Sequence, residues 1–208
     1  MNLHSDSFAD NSPIPAKYAF CKPDPAAHVA MSQNVSPHFR WSDAPAGTQS
    51  YVLICDDVDV PSIFDDVNQE GKTLPADLPR IDFYHWVLVD IPPSVTELAE
   101  GADADGVTPK GKPAGKMPYG TRGINDYTKF MAGNPDMAGD YGGYDGPCPP
   151  WNDERLHRYV FTVYALDVPS LGLAAGFTGE DALQAMEGHI LAQASWTGTY
   201  TQNPAVKG

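Results

Sequence analysis

An all-β dominated fold, an antiparallel sandwich or barrel with very little helix, is predicted by three observations on this 208-residue chain. Three β-branched apolar runs each end in acidic residues and a proline, as buried strands do where they emerge into loops. Twenty prolines and 19 glycines supply many turns. A helical period occurs only once, close to the C-terminus, which argues against alternating βαβ units.

The first run is "SYVLICDDVDVP", Ser50 to Pro61, and "FYHWVLVDIPP", Phe83 to Pro93, repeats its design. The third, "LHRYVFTVYALDVP", Leu156 to Pro169, carries apolar residues on both alternating faces, the mark of a strand covered on both sides. Between Gly101 and Gly146 the chain is rich in Gly, Pro, Lys, Asn and Asp, which predicts a long loop excursion over the surface with a functional role. In "FTGEDALQAMEGHILAQASW", Leu183, Met186, Ile190, Leu191 and Ala194 recur at helical spacing, and Thr178 with Asp181 offers a capping box. This predicts one short C-terminal helix, then a last strand around "TGTYTQ". No internal repeat divides the chain, so residues 1–208 read as a single domain.

A formal charge of −14 argues against nucleic acid and anionic membrane surfaces as partners, since both require clustered Lys and Arg. The N-terminal stretch lacks a basic start followed by an apolar run, and no 18-residue apolar segment occurs. A soluble, cytoplasmic protein without membrane insertion is the expectation. Cys21, Cys55 and Cys148 are odd in number and show no CxxC spacing, which predicts neither a disulfide framework nor a cysteine zinc site and fits a reducing cytosol.

Chemistry-bearing residues gather at predicted strand ends. Asp57 and Asp59, two apart, should point to one side of an extended strand; so should His157 and Tyr159, with Arg158 opposite. His85 shares the parity of Val87 and Val89. Converging at one end of a sandwich, these side chains would line a concave site. "GPCPP", Gly146 to Pro150, would wall it, pre-shaped by prolines that fix φ.

The segments "SPHFRWSDAPAGTQSYVLICDDVDVP", "YHWVLVDIP", "YDGPCPP" and "LHRYVFTVYALD" resemble the signatures of the phosphatidylethanolamine-binding proteins, also called the Raf kinase inhibitor protein family. "SDSFADNSPIPAKY" and "HILAQASWTGTY" resemble the bacterial YbhB/YbcL-like branch, and the likeness runs through almost the whole chain in order. It implies a β-sandwich of two antiparallel sheets and a small anion pocket at Asp57, Asp59, His85, Gly146, Pro147, His157 and Tyr159. It also implies a homodimer, and partners that include a kinase or protease. Two departures stand out: Asp103 to Tyr141 is longer than the family's core requires, and DVDV stands where DPDAP is common.

The expected function is binding of a small anionic or zwitterionic phosphate ligand. His85 and His157 would donate ring N–H bonds, Tyr159 an O–H bond and the loop a few backbone amides, while an aspartate orients a histidine or accepts an ammonium. No cofactor is expected. The alternative is a hydrolase, using either a metal on Asp57, Asp59, His85 and His157 or a Cys–His pair built on Cys148; the chain has no HExxH or HxH spacing for the first and no basic neighbour to activate the second.

Overall fold

The structure, a computed structural model, describes residues 1–207. In chain order its first strands are β1 (Asn2–His4), β2 (Ser12–Pro13), β3 (Cys21–Asp24), β4 (His28–Met31) and β5 (Phe39–Ser42). The long strands β6 (Ser50–Pro61) and β7 (Arg80–Ile91) follow, then the short β8 (Glu97–Leu98), β9 (Gly115–Met117) and β10 (Gly120–Arg122). Helix α1 (Tyr127–Phe130), β11 (His157–Leu166), α2 (Gly179–Met186) and β12 (Ile190–Tyr200) complete the chain.

The three apolar runs of the sequence are β6, β7 and β11, neighbours in a seven-stranded sheet of order β2-β12-β11-β6-β7-β10-β9. All its pairings are antiparallel except β2 with β12. One face, including Leu53, Cys55, Trp86, Leu88, Phe161 and Val163, packs against Leu3, Phe39, Trp41 and Leu98 of the three-stranded sheet β1-β5-β8. The opposite face, with Val52, Ile54, Val87 and Val89, is covered by Ala182 and Met186 of α2 and by Phe177. A strand buried on both sides must be apolar at consecutive positions, which is why these runs show no alternation. β3 and β4 form a separate hairpin.

The capping box of α2 is present: Thr178 accepts from the Asp181 amide, and Asp181 accepts from the Thr178 amide. The helix is shorter than its period suggested. It ends at Met186, Gly188 turns the chain at φ +81°, and Ile190, Leu191 and Ala194 belong to β12. Ile190 and Leu191 are 43% and 40% exposed, so their apolar recurrence reflects no helix face. Ten backbone pairings with β11 fix this segment as strand.

The predicted surface excursion runs largely over the surface, but parts of it are packed. β9 and β10 extend the large sheet beyond β7, and Arg122, Asn125, Tyr127, Tyr141 and Tyr144 are buried. Arg122 Nε donates to Asp103 at 2.6 Å, and Asn125 Nδ2 to Asp145 at 2.9 Å. Polar residues of low apolar content can build interior structure when each buried group finds a partner.

The cysteine expectation is overturned. Cys21 and Cys148 form a disulfide joining positions 127 residues apart, while Cys55 is the buried free thiol in β6. An odd count concealed one bridge and one core residue, and the cysteine-based reason for expecting a reducing cytosol falls with it. Among the described residues no helix is long and apolar enough to cross a membrane.

Candidate functional site

Backbone register places the site. Asp57 on β6 pairs with Phe83 of β7 on one side and Tyr159 of β11 on the other, so three strands contribute to one row. Just beyond this row lies a cleft of about 50 Å³ lined by Asp57, Phe83, His85, Tyr127, Cys148, Pro149, Pro150, His157 and Tyr159. At about 10–15 Å³ for each water-sized group, it admits three to five non-hydrogen atoms, the size of a phosphate or carboxylate.

Asp57, His85, His157 and Tyr159 thus meet in one cleft, but Asp59 does not join them. Register shifts in the β6–β7 pairing between Cys55 and Asp56 and between Asp57 and Val60 break the two-residue alternation. Asp59 turns instead toward the face carrying Arg158: its carboxylate accepts from Arg158 Nε at 2.8 Å, Arg155 Nε at 2.9 Å and the Arg158 amide at 3.0 Å. Burial favours its neutral form, but the bonds and charges of Arg158 and Arg155 outweigh this and hold the carboxyl below the usual range. Asp59 anchors the end of β6, and its amide donates to Asp57 Oδ1 at 2.9 Å.

His157 also differs from expectation. Nδ1 lies 2.7 Å from Asp57 Oδ2 and Nε2 lies 3.2 Å from Asp153 Oδ2. Ionised carboxylates only accept, so the ring carries both protons and has no N–H left for a ligand. Burial lowers its pKa, but the charge of Asp57, the hydrogen bonds to Asp153 and Asp57 and the charge of Asp153 prevail, raising it to about 9. Asp153 is itself gripped by the guanidinium of Arg80 at 2.6 and 3.1 Å, which together with His157 holds its carboxyl below the usual range against the effect of burial. Asp57, His157, Asp153 and Arg80 form a closed chain of alternating charge.

His85 and Tyr159 form the open side. His85 Nδ1 donates to the Asp145 carbonyl at 2.7 Å, and the Asp145 amide returns a bond to His85 O at 3.0 Å. Among the described residues His85 Nε2 has no hydrogen-bond partner, and His85 lines the cleft. The Tyr159 hydroxyl is fully buried and makes no close hydrogen bond among the described residues, the Asp57 carboxylate being the acceptor on its protein side, and its ring centroid lies 5.1 Å from that of His85. Burial, then the charge of Asp57, the neighbouring Tyr127 and the Asp57 carboxylate as a hydrogen-bond acceptor, raise the Tyr159 pKa well above the ordinary phenol value, so the hydroxyl keeps its proton and is a donor.

Gly146 and Pro147 stand behind the wall rather than on its surface. The Gly146 amide donates to Asn34 Oδ1, and Pro147 O accepts from the amides of Phe20 and Cys21. A side chain at 146 would meet Tyr18 O at 2.0 Å, so the close approach requires glycine. Because three prolines lack an N–H and the Gly146 amide is engaged, the Cys148 amide is the one N–H this stretch could offer a ligand, rather than several. Its thiol is in the disulfide, which removes the Cys–His alternative. The metal alternative loses its geometry too: among the described residues no group of three or more His, Cys, Asp or Glu stands at metal-holding spacing.

Sequence reasoning missed Asp153, Arg80 and Tyr127. Asp153 precedes His157 by four residues, but the intervening turn brings it back onto the ring. Tyr127 lies in the short α1 of the excursion, where "NDYTKF" carries no strand or motif signal.

These features define a β-rich protein with a small, mostly apolar ligand cleft at one end of its central strands. The phosphatidylethanolamine-binding protein family matches residues 4–201, and the chain belongs to that family. It is 34% identical over 201 residues to a UPF0098 protein of Methanothermobacter thermautotrophicus, covering 96% of this chain and 98% of that one. It is 29% identical over 201 residues to the UPF0098 protein YbhB of Escherichia coli, covering 97% and 100%. Among solved structures, the protein CT736 of Chlamydia trachomatis, described as a phosphatidylethanolamine-binding protein homologue, superposes with a TM-score of 0.63 at 32% identity over 96% of this chain and 95% of that one. YbcL of E. coli shares the fold with a TM-score of 0.68, at 24% identity over 96% and 97%.

Proposed function

We propose that the protein binds a small phosphate-bearing ligand, anionic or zwitterionic, with the phosphate in the cleft between His85 and Tyr159. The observation that carries this reading is the pairing of the buried Tyr159 hydroxyl, which makes no close hydrogen bond, with the ring of His85 in one small cleft. A buried hydroxyl left unsatisfied costs on the order of 1–3 kcal/mol, a cost that a ligand oxygen would remove. Its neighbours His157 and Asp153 have their bonding capacity filled, while Asp57, which accepts only from His157 and the Asp59 amide, keeps an acceptor site beside the cleft that favours an ammonium or a protonated group over a bare anion.

Beside the cleft, and sharing Phe64, Phe83 and Phe130 with it, lies a broad depression of about 800 Å³ that carries Asp82, Asp126 and Glu180. This suits the remainder of a zwitterion: an ammonium beside the carboxylates and apolar atoms against the phenyl rings. It accounts for an acidic protein receiving a phosphate without a basic patch. Two or three bonds of about 1.5–3 kcal/mol each, set against an association cost of ~4–15 kcal/mol, leave a bare phosphate binding at millimolar strength.

Phosphorus NMR or calorimetry with phosphoethanolamine tests the reading. Saturable binding is expected, weakened about tenfold in Tyr159→Phe through loss of one charge-assisted bond. No binding, or undiminished binding by the variant, contradicts it.

A further inference from the structure

The donor and acceptor pattern of the cleft specifies the protonation state of what it holds; this step rests on the phosphate reading above. A carbonyl oxygen only accepts, so the 2.7 Å contact with Asp145 O fixes the proton of a neutral His85 on Nδ1. Nε2 then presents a lone pair to the cleft. Tyr159 presents an O–H. Between these two side chains an anion without a proton meets one donor and one repelling acceptor, even where the Cys148 amide adds a second donor from the wall.

The surrounding carboxylates favour a second proton on His85 only weakly, because each is itself paired. From β6, Asp57 is neutralised by His157 of β11. From the wall, Asp145 is paired with Lys112 at 2.8 Å, and at the start of α1 Asp126 faces Lys129 at 3.5 Å. Tyr127 and Tyr159, whose rings pack edge-on to the imidazole, stay neutral because burial raises their pKa values well above the ordinary range. Burial lowers the pKa of His85, and the charge of Asp57 and the bond to Asp145 only partly oppose it.

The geometry points to a ligand that brings its own proton: a singly protonated phosphate monoester, whose P–O–H donates to His85 Nε2 while Tyr159 Oη donates to another of its oxygens. A phosphodiester, the form found in a phospholipid headgroup, has no such proton and must draw one from solvent onto a buried imidazole. A free monoester is therefore preferred over the lipid. With a second pKa near ~6, a monoester bound in this form takes up close to one proton at higher pH, and its apparent affinity falls roughly tenfold per pH unit.

Calorimetry with methyl phosphate and dimethyl phosphate, between pH 5.5 and 8 in buffers of different ionisation enthalpy, tests this. Methyl phosphate is expected to show that proton uptake, and dimethyl phosphate to bind at least about tenfold more weakly at pH 6, the loss of one good hydrogen bond. His85→Gln, whose amide can turn an N–H toward the cleft, should flatten the pH dependence and narrow the gap between the two compounds. Equal affinities, or a methyl phosphate affinity that does not change with pH, would overturn the protonation proposal and leave the phosphate site standing. Binding of neither compound would overturn both.

Discussion

On one side of the cleft His157 is bracketed by Asp57 and Asp153, and Asp153 in turn is held by Arg80; on the other, His85 and Tyr159 each keep one polar atom without a close hydrogen bond. Both sides contain a buried histidine on a central strand. What separates them is the arithmetic of donors and acceptors. His157 meets two acceptors, becomes a cation and closes on its neighbours, whereas His85 meets one carbonyl and retains a free nitrogen. A buried charge with every bond satisfied holds structure together, and a buried polar atom without one is available to a ligand.

The largest effect should come from breaking the closed side. His157→Leu leaves Asp57 and Asp153 buried beside a side chain that cannot donate, and should cost about 3–5 kcal/mol in urea denaturation. A loss below about 1 kcal/mol would mean that the two sides do not differ in this way. Next comes the wall that faces the open side: reducing the Cys21–Cys148 bridge, or making Cys148→Ser, should cost about 2–4 kcal/mol and lower Tm by roughly 4–16 °C. An unchanged Tm would show that the backbone bonds of Pro147 and the contact of Gln202 with Pro149 hold the wall alone.

A third test uses pH. His157 titrates at about 9 in the folded protein against 6.5 as its ordinary value. The group's contribution is therefore fully present below about pH 6.5 and is lost as pH rises through about 9, a fall on the order of 3 kcal/mol. Denaturation curves between pH 6 and 10 should show that fall in the native chain and lack it in His157→Gln. The smallest stability effect is expected on the open side: Tyr159→Phe removes a hydroxyl with no close hydrogen bond and should change stability by less than about 1 kcal/mol while ligand binding drops. A large loss of stability would place Tyr159 with the closed side.

Strand parity paired His157 with Tyr159, and the placing of Asp57, His85, His157 and Tyr159 together came from their positions at predicted strand ends and from the family resemblance. Asp59 could not be placed that way. Its direction depends on register shifts that arise only when β6 pairs with β7, and one misplaced residue reverses every side chain after it. Nor could the role of His157 be read, since whether a histidine is a donor to a ligand or a bracketed cation depends on Asp153 and Arg80, which approach each other across 73 residues. The packed interior of the excursion was hidden for a related reason. Its buried residues are isolated tyrosines among polar groups such as Asp103, Arg122, Asn125 and Asp145, and such a mixture looks like loop until the partners are known.

What the sequence by itself determined is the central sheet and the row of side chains at its end, because burial on two faces demands continuous apolar runs and strand geometry is local. The tertiary structure alone decided the Cys21–Cys148 bridge, the diversion of Asp59 to Arg155 and Arg158, and which of two histidines keeps a free nitrogen. Those outcomes depend on partners from distant parts of the chain, and hydrogen-bond satisfaction is a property of the assembled interior rather than of any segment.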